Sequence, residues 1–338
     1  MITNPDIQKK ISFARKILKT NKLRFIDSEG SLTANCYSLY VSTNENLNYY
    51  LRLPSFKGKD ILVPTASGDH ALNAIYLGAK SVETFDINSL AMLNYDLKET
   101  AVKYLTREEY LQFYSIPTFF DETLYLKIRE HLKPDTRMFY DSIYSYLDTL
   151  PYDQLNSEKL GNLIEEMNLQ KRENLIANNP FLKSDRSYAA LQDRLFKLSK
   201  PVKHKLCSAH ELNSEFKDKD IVILSNILRY YLYEEYTDID YAMDTDMAEK
   251  IKASISDVLK NDGIASLLYI YALKSRDKKW FLEENLEKSL DLSGFSPLFV
   301  KHNLKENAED KIILVQKDNE IFKPLEQNLE SEISPRSL

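Results

Sequence analysis

The stretch Asp60 to Asn88, DILVPTASGDHALNAIYLGAKSVETFDIN, decides how this chain is read. Ile61-Leu62-Val63 is a short, wholly apolar run, as in a parallel strand buried on both faces. Pro64 to Asp69 breaks that strand, and Gly68 is the residue there that takes positive φ at no steric cost. Ala71, Leu72, Ile75 and Tyr76 recur at helical spacing, with Gly78 placed to cap the helix C-terminus. Ser81 to Phe85 reads as a second strand, and Asp86 stands at its end. Strand, tight turn, helix, strand and terminal acid form the first half of a Rossmann-like nucleotide site. A helix N-terminus offers unpaired amides to a polar or anionic group, and an acid about 20 residues on accepts ribose hydroxyls. An ordinary βαβ unit without a ligand would show the same pattern.

The turn narrows the ligand. PTASGD supplies one glycine where the dinucleotide fingerprint wants three. A pyrophosphate needs the close backbone approach that those glycines allow, so NAD or FAD fits poorly. S-adenosylmethionine has no phosphate and asks less of the turn.

The bulk composition sets outer bounds. At 338 residues the chain is long enough for one large domain with an insertion, or for two domains. A hydrophobic content of 43% predicts a real core. The net charge, 45 − 51 = −6, is spread along the chain and argues against a dedicated nucleic-acid surface. Cys36 and Cys207 are too few for a disulfide framework, which points to a reducing, cytoplasmic setting. The opening segment MITNPDIQKKISFARKILK lacks the apolar core and cleavage site of a secretory signal. No window reaches the roughly 18 apolar residues of a membrane span.

Around the central stretch, residues 5–21 are predicted to form an amphipathic helix, with Ile7, Ile11, Ala14, Ile17 and Leu18 on one face. Thr43-Asn44-Glu45-Asn46 reads as a polar loop with capping chemistry, in preference to a strap over a ligand. A helix follows Asp86, from about Leu90 to Leu105, with Leu90, Leu93, Leu97, Ala101 and Tyr104 inward. Thr106 and Glu109 predict a capping box for the next helix, Arg107 to Phe113. Residues 116–200 lack strand alternation, and prolines divide them into helix-sized pieces. This is a helical insertion, read as a lid over an acceptor pocket.

Strands resume at Lys203 to Cys207 and at Asp220 to Leu224, the latter predicted to neighbour the Ile61 strand. A helix over 246–260 precedes Gly263 and a strand from Ala265 to Tyr271. FSPLFVKHN and KIILVQK then close the sheet as an antiparallel pair. The predicted fold is therefore α/β, a Rossmann-like methyltransferase fold with a mostly parallel sheet, an antiparallel C-terminal strand and a helical insertion. Residues 1–58 form an N-terminal cap, 59–115 with 201–320 the Rossmann-like domain, 116–200 the insertion, and 321–338 a flexible tail.

Those parts in that order resemble a class I S-adenosylmethionine-dependent methyltransferase, with ILVPTASGD as its first motif, Asp86 as its ribose-binding acid and LSNIL as the segment beside the transferred group. More narrowly, STNENLNYY, SGDHALNAIYLGAKSVETFDIN, LTREEYLQFY and NPFLKSDRSYAALQDRL resemble an uncharacterised bacterial family. That family is related to S-adenosylmethionine:diacylglycerol 3-amino-3-carboxypropyl transferase, which makes a betaine-lipid headgroup precursor. The resemblance implies that Thr65, Ser67, Gly68 and Asp69 hold the methionine moiety and that Asp86 binds the ribose. It implies that Ile87 and Asn88 lie beside the adenosine, that Ser208 and Ala209 flank the adenine, and that Ser225 and Asn226 face the sulfonium. Glu45 and Tyr49 are candidate lining residues from the N-terminal segment.

A hydroxyl acceptor must lose its proton, and Asp69, Glu45 and Tyr230 are the candidate bases. His70, at the helix start, either touches the ligand or caps. No metal is expected: His204, Cys207 and His210 have no recognised zinc spacing, and Asp238, Asp240, Asp244 and Asp246 lack the glycine of a cation loop. Three functions follow: transfer of a 3-amino-3-carboxypropyl group to a small or lipid-like acceptor, methyl transfer to a small molecule, or nucleoside binding without turnover. Trp280 reads as ordinary packing, with positioning of a lipid-like partner at an interface as the alternative.

Overall fold

Ile61, Leu62 and Val63 have no solvent exposure in β1 (Asp60–Pro64), as a wholly apolar run requires. The computed structural model describes residues 41–52, 56–115, 121–147, 171–227, 245–270, 298–303, 308–318 and 321–324, with Gln8, Ile11 and Ser12. After β1 come α1 (Asp69–Tyr76), β2 (Ser81–Asp86), α2 (Ser89–Tyr104) and α3 (Arg107–Tyr114). The insertion contributes α4 (Glu122–Ile128), α5 (Pro134–Leu147), α6 (Arg172–Asn178) and α7 (Asp185–Lys197). Then follow β3 (Lys203–Leu206), α8 (Leu212–Glu215), β4 (Lys219–Ile223), α9 (Thr245–Val258) and β5 (Leu259–Ile270). The described chain closes with β6 (Leu298–Asn303), β7 (Ala308–Asp318) and β8 (Ile321–Pro324).

The strand order is β3-β2-β1-β4-β5-β7-β6, with β8 added on β7. β1 pairs in parallel with β4, Ile61 opposite Ile221, and β2 with β3, Asp86 opposite Leu206. β5 is parallel to β4, whereas β7 runs antiparallel to β5, β6 and β8. The order therefore reverses beside β1, the switch point where open α/β sheets bind ligands. This is the Rossmann-like methyltransferase architecture.

The chain divides into two compact units. The first comprises Met1–Leu47, Pro64–Gly78 and Glu83–Leu206. Its helices pack through tyrosines: Tyr110, Tyr114, Tyr125, Tyr140 and Tyr188 are all at most 2% exposed. Burial pushes each of these phenols well above its ordinary titration range. The described part of the insertion is helical and is tied to the helices before it. Arg107 Nε donates to Leu182 O at 2.7 Å, and Gln192 Nε2 donates to Val102 O at 2.8 Å. The capping box at the start of α3 forms as Thr106 and Glu109 predict. Tyr104 differs from its expectation. At the last position of α2 it is 39% exposed, and its ring stacks on His131 at 3.7 Å.

The second unit comprises Asn48–Val63, Ala79–Val82 and Cys207–Leu338. Here β5 begins earlier than the sequence suggests. Gly263 lies inside the strand, because pairing with β4 slips between Lys219 and Ile221. Asp262 has φ 62°, and a Cβ on Gly263 would lie 2.8 Å from Lys260 O, so glycine is required at this bulge. β8 falls within the segment read as a tail and pairs Phe322 with Lys317. Among the described residues no helix is long and apolar enough to cross a membrane.

Candidate functional site

Within the first unit, the turn after β1 is built by two left-handed residues. Ala66 has φ 40° and Gly68 φ 83°, and Gly68 N donates to Thr65 O at 2.6 Å. Positive φ at alanine is a strained state that the surroundings must impose. Asp86 imposes it: its Oδ2 accepts from Ala66 N at 2.8 Å, and its Oδ1 accepts from Asn88 N at 2.8 Å. Gly68 is constrained twice, because an added Cβ would also meet the Tyr95 ring at 3.1 Å. Burial raises the Asp86 carboxyl above its ordinary value, and the backbone donors of Asn88, Ala66 and Ile87 oppose that. Asn88 caps α2 through Leu90 N at 2.9 Å. Ile87 beside it is 54% exposed, and Leu206, the register partner of Asp86, is 60% exposed.

Asp69, at the start of α1, is 1% exposed and fully engaged. Lys98 Nζ donates to its Oδ1 at 2.7 Å; its Oδ2 accepts from Thr43 N at 2.7 Å and Ser67 Oγ at 3.1 Å. Lys98, 1% exposed on α2, also donates to Val41 O at 2.6 Å and lies 5.3 Å from the Tyr114 ring centroid. Burial lowers the Lys98 ammonium from its ordinary value, and Asp69 holds it charged against that. The segment 41–46 is thus irregular yet, apart from the exposed Asn44, buried against the turn. Thr43 O takes a further bond from Asn178 Nδ2 at 3.2 Å.

Glu45, 1% exposed, meets His70 Nε2 at 3.0 Å. His70 therefore makes a carboxylate–imidazole pair, a contact that the sequence did not suggest. A second polar chain runs beneath the turn. Thr65 Oγ1 donates to Thr84 Oγ1 at 2.7 Å, and Thr84 Oγ1 lies 2.5 Å from His204 Nδ1. Burial, then Lys133, pulls the His204 imidazole down to about 4 against the pull of Glu99. The ring is thereby neutral at ordinary pH and shares one hydrogen bond with the Thr84 hydroxyl.

The first unit thus brings Glu45, Thr65, Ser67, Gly68, Asp69, Asp86, Ile87 and Asn88 onto one turn and its immediate supports. Ser208, Ala209, Ser225 and Asn226 belong to the second unit. Ser208 Oγ lies 2.7 Å from His210 Nδ1 and 3.1 Å from Glu211 Oε2, opening a short 3-10 helix in which Ala209 is 1% exposed. Ser225, just after β4, has φ 59°, and its Oγ donates to Asn226 Oδ1 at 3.4 Å. Tyr49 is fully buried, edge-on to Tyr50 at 4.4 Å. Tyr230, Asp238, Asp240, Asp244 and Trp280 lie outside the described residues.

Sequence reasoning missed Lys98 and Asn178, and it named Thr43 only as part of a polar loop. Lys98 follows Asn94 by one helical turn and precedes Ala101 by another, and all three are buried, so it stands on the inward face of α2. A lysine at such a position predicts a buried counter-ion.

No protein-family model and no curated protein matches the chain. Among solved structures it is similar to a Listeria monocytogenes protein assigned as an S-adenosylmethionine-dependent methyltransferase, at 10% identity and TM-score 0.37 over 81% of this chain and 98% of that one. It is also similar to an rRNA methylase from Streptococcus thermophilus, at 10% identity and TM-score 0.33 over 82% and 98% of the two chains. A third is a methyltransferase assignment from Streptococcus mutans in complex with S-adenosylhomocysteine, at 12% identity and TM-score 0.31 over 80% and 95%. At these scores the likenesses decide nothing about function, which rests on the chain's own geometry.

Proposed function

We propose that this chain is an S-adenosylmethionine-dependent transferase that moves the 3-amino-3-carboxypropyl group to a hydroxyl of a small or lipid-like acceptor. The observation that carries the cofactor is Asp86, the acid at the end of β2, locked by the Ala66 and Asn88 amides. An ionised carboxylate has about four acceptor sites, so the backbone donors leave capacity for a ribose hydroxyl. The exposed side chains of Ile87 and Leu206 offer apolar surface to a flat base. The group transferred is read from the family resemblance of the segments around Ser67 to Asn88.

When bound, S-adenosylmethionine supplies a sulfonium whose attached carbons are electrophilic. The protein's share is alignment and proton removal. Asp86 fixes the ribose end. Asp69 is committed to Lys98 and Thr43 and acts as an anchor of the turn. Glu45, backed by His70, is the residue of the first unit suited to take an acceptor proton. Ser208, Ala209, Ser225 and Asn226 are assigned to the adenine and sulfonium by the same resemblance.

Product analysis tests the reaction. Aminocarboxypropyl transfer releases methylthioadenosine, methyl transfer releases S-adenosylhomocysteine, and neither product across a broad acceptor panel returns the protein to a binding module. Asp86→Ala tests the cofactor: affinity for S-adenosylmethionine by calorimetry should fall by about 1–3 kcal/mol, the worth of charge-assisted hydrogen bonds. Unchanged affinity in a folded variant removes Asp86 from the ribose.

A further inference from the structure

We propose that residues 41–46 form a built-in strap that reads the amino-acid end of the cofactor, and that Lys98 is the positioning residue that sets it in place. The inference rests on the S-adenosylmethionine reading and extends it to a part of the ligand that Asp86 does not touch.

The argument begins with burial. A polar, irregular segment ordinarily runs over the surface, because its backbone groups need water. Here Val41, Ser42, Thr43, Glu45 and Asn46 are all at most 7% exposed, with only Asn44 of the segment open to solvent. Three bonds to this segment come from the turn and its flanks. Lys98 Nζ donates to Val41 O at 2.6 Å, Thr43 N donates to Asp69 Oδ2 at 2.7 Å, and Asn178 Nδ2 donates to Thr43 O at 3.2 Å. One ammonium thereby fixes the strap twice, directly at Val41 and through Asp69 at Thr43.

The turn has two ends. Ala66, at its first, is bonded to Asp86. Asp69, at its last, is bonded to the strap. A sulfonium nucleoside that puts its ribose at Asp86 and follows the turn carries its amino and carboxyl groups toward Asp69 and residues 41–46. Removing the Lys98 charge loosens the strap at Val41 and Thr43 and leaves Asp86 and its two amide bonds in place.

Two probes that differ only at that end decide the matter. S-adenosylhomocysteine carries the amino-acid group, and methylthioadenosine lacks it. For Lys98→Met, calorimetry should show affinity for S-adenosylhomocysteine down about tenfold, the worth of one lost hydrogen bond, with methylthioadenosine unchanged within about twofold. Lys98→Arg, which keeps the charge, should restore part of the loss. Asn178→Ala loosens the strap from its other side without touching the ion pair. It should lower the S-adenosylhomocysteine affinity about threefold and spare methylthioadenosine, and it carries the test where Lys98→Met does not fold. A merely structural role for Lys98 would weaken both probes together. Wild-type protein that binds both probes, with variants that weaken them equally or not at all, overturns the strap alone. Wild-type protein that binds neither overturns the cofactor reading and the strap with it.

Discussion

Asp60 opens β1 and Asp69 opens α1, and lysine meets each carboxylate, yet the two arrangements share little else. The Lys98 and Asp69 side chains are 1% and 2% exposed. Around Asp60, Lys80 is 67% exposed and Lys260 36%, with Asp60 itself at 19%. The second group is a lattice: Ser81 Oγ donates to Asp60 at 2.7 Å, and Lys260 Nζ reaches Asp60 at 3.3 Å and Asp220 at 3.1 Å. Its members can trade partners with each other and with water. The buried pair has no such freedom, so it specifies position at the cost of desolvating two charges. The lattice instead neutralises acids at the starts of β1 and β4, where geometry matters less. Burial of an ion pair here marks a place where one arrangement is required.

The sharpest way to break that contrast is to remove one charge from each group. Lys98→Met leaves Asp69 buried without its counter-ion and should cost about 3–5 kcal/mol of stability, read as a drop in the urea midpoint. The double variant Lys98→Met, Asp69→Leu should recover much of that loss, because no charge stays stranded. A cost below about 1 kcal/mol for the single variant would put the pair in the same class as a surface bridge.

His204 sharpens the comparison from a third side, as a buried base that meets its burial by staying neutral. Burial, with Lys133, holds its imidazole at about 4, against an ordinary 6.5. A base whose folded pKa is depressed contributes stability that is full above the unfolded pKa and is lost as pH falls toward the folded one. The window is therefore pH 6.5 to 4, and its full depth is roughly 3 kcal/mol. His204→Asn keeps an acceptor for Thr84 and removes the titration. Urea unfolding of the two proteins across that window should converge as the pH drops, and parallel curves would mean that His204 titrates normally.

Much of the fold was legible because its cues are local. Ile61-Leu62-Val63 has one reading as a buried strand, Thr106 and Glu109 specify a helix start, and Gly78 takes the left-handed cap with φ 92°. The pairing of β1 with β4 followed from the switch-point rule. Asp86 stood out as an acid at a strand end. The supports of the site were illegible for the opposite reason. Lys98 finds Asp69 across 29 residues, and Asn178 finds Thr43 across 135, separations over which the sequence carries no spacing signal. Asp69 looked like a free acid because its counter-ion lies 29 residues away, and its neighbour His70 pairs with Glu45 instead. Gly263 misled in a milder way: a glycine before an apolar run reads as a turn, and only the slipped β4 register reveals a bulge.

The smallest effect belongs to Lys260, and it tests whether the exposed lattice behaves as its geometry requires. Partial burial raises the Asp60 carboxyl, but hydrogen bonds from Ser81, Lys80 and Lys260 outweigh it and bring the group down to about 2. Its folded pKa lies below its unfolded one, so the stability it contributes is present above pH 4 and is lost as the pH falls toward 2. Lys260→Met removes one of three donors and leaves Lys80 and Ser81 in place. The loss at neutral pH should be about 1 kcal/mol or less, should shrink as salt is added, and should vanish in acid. A larger, salt-insensitive loss would mean that Lys260 fixes the ends of β1 and β4 as rigidly as Lys98 fixes the strap, and the two groups would then differ in exposure alone.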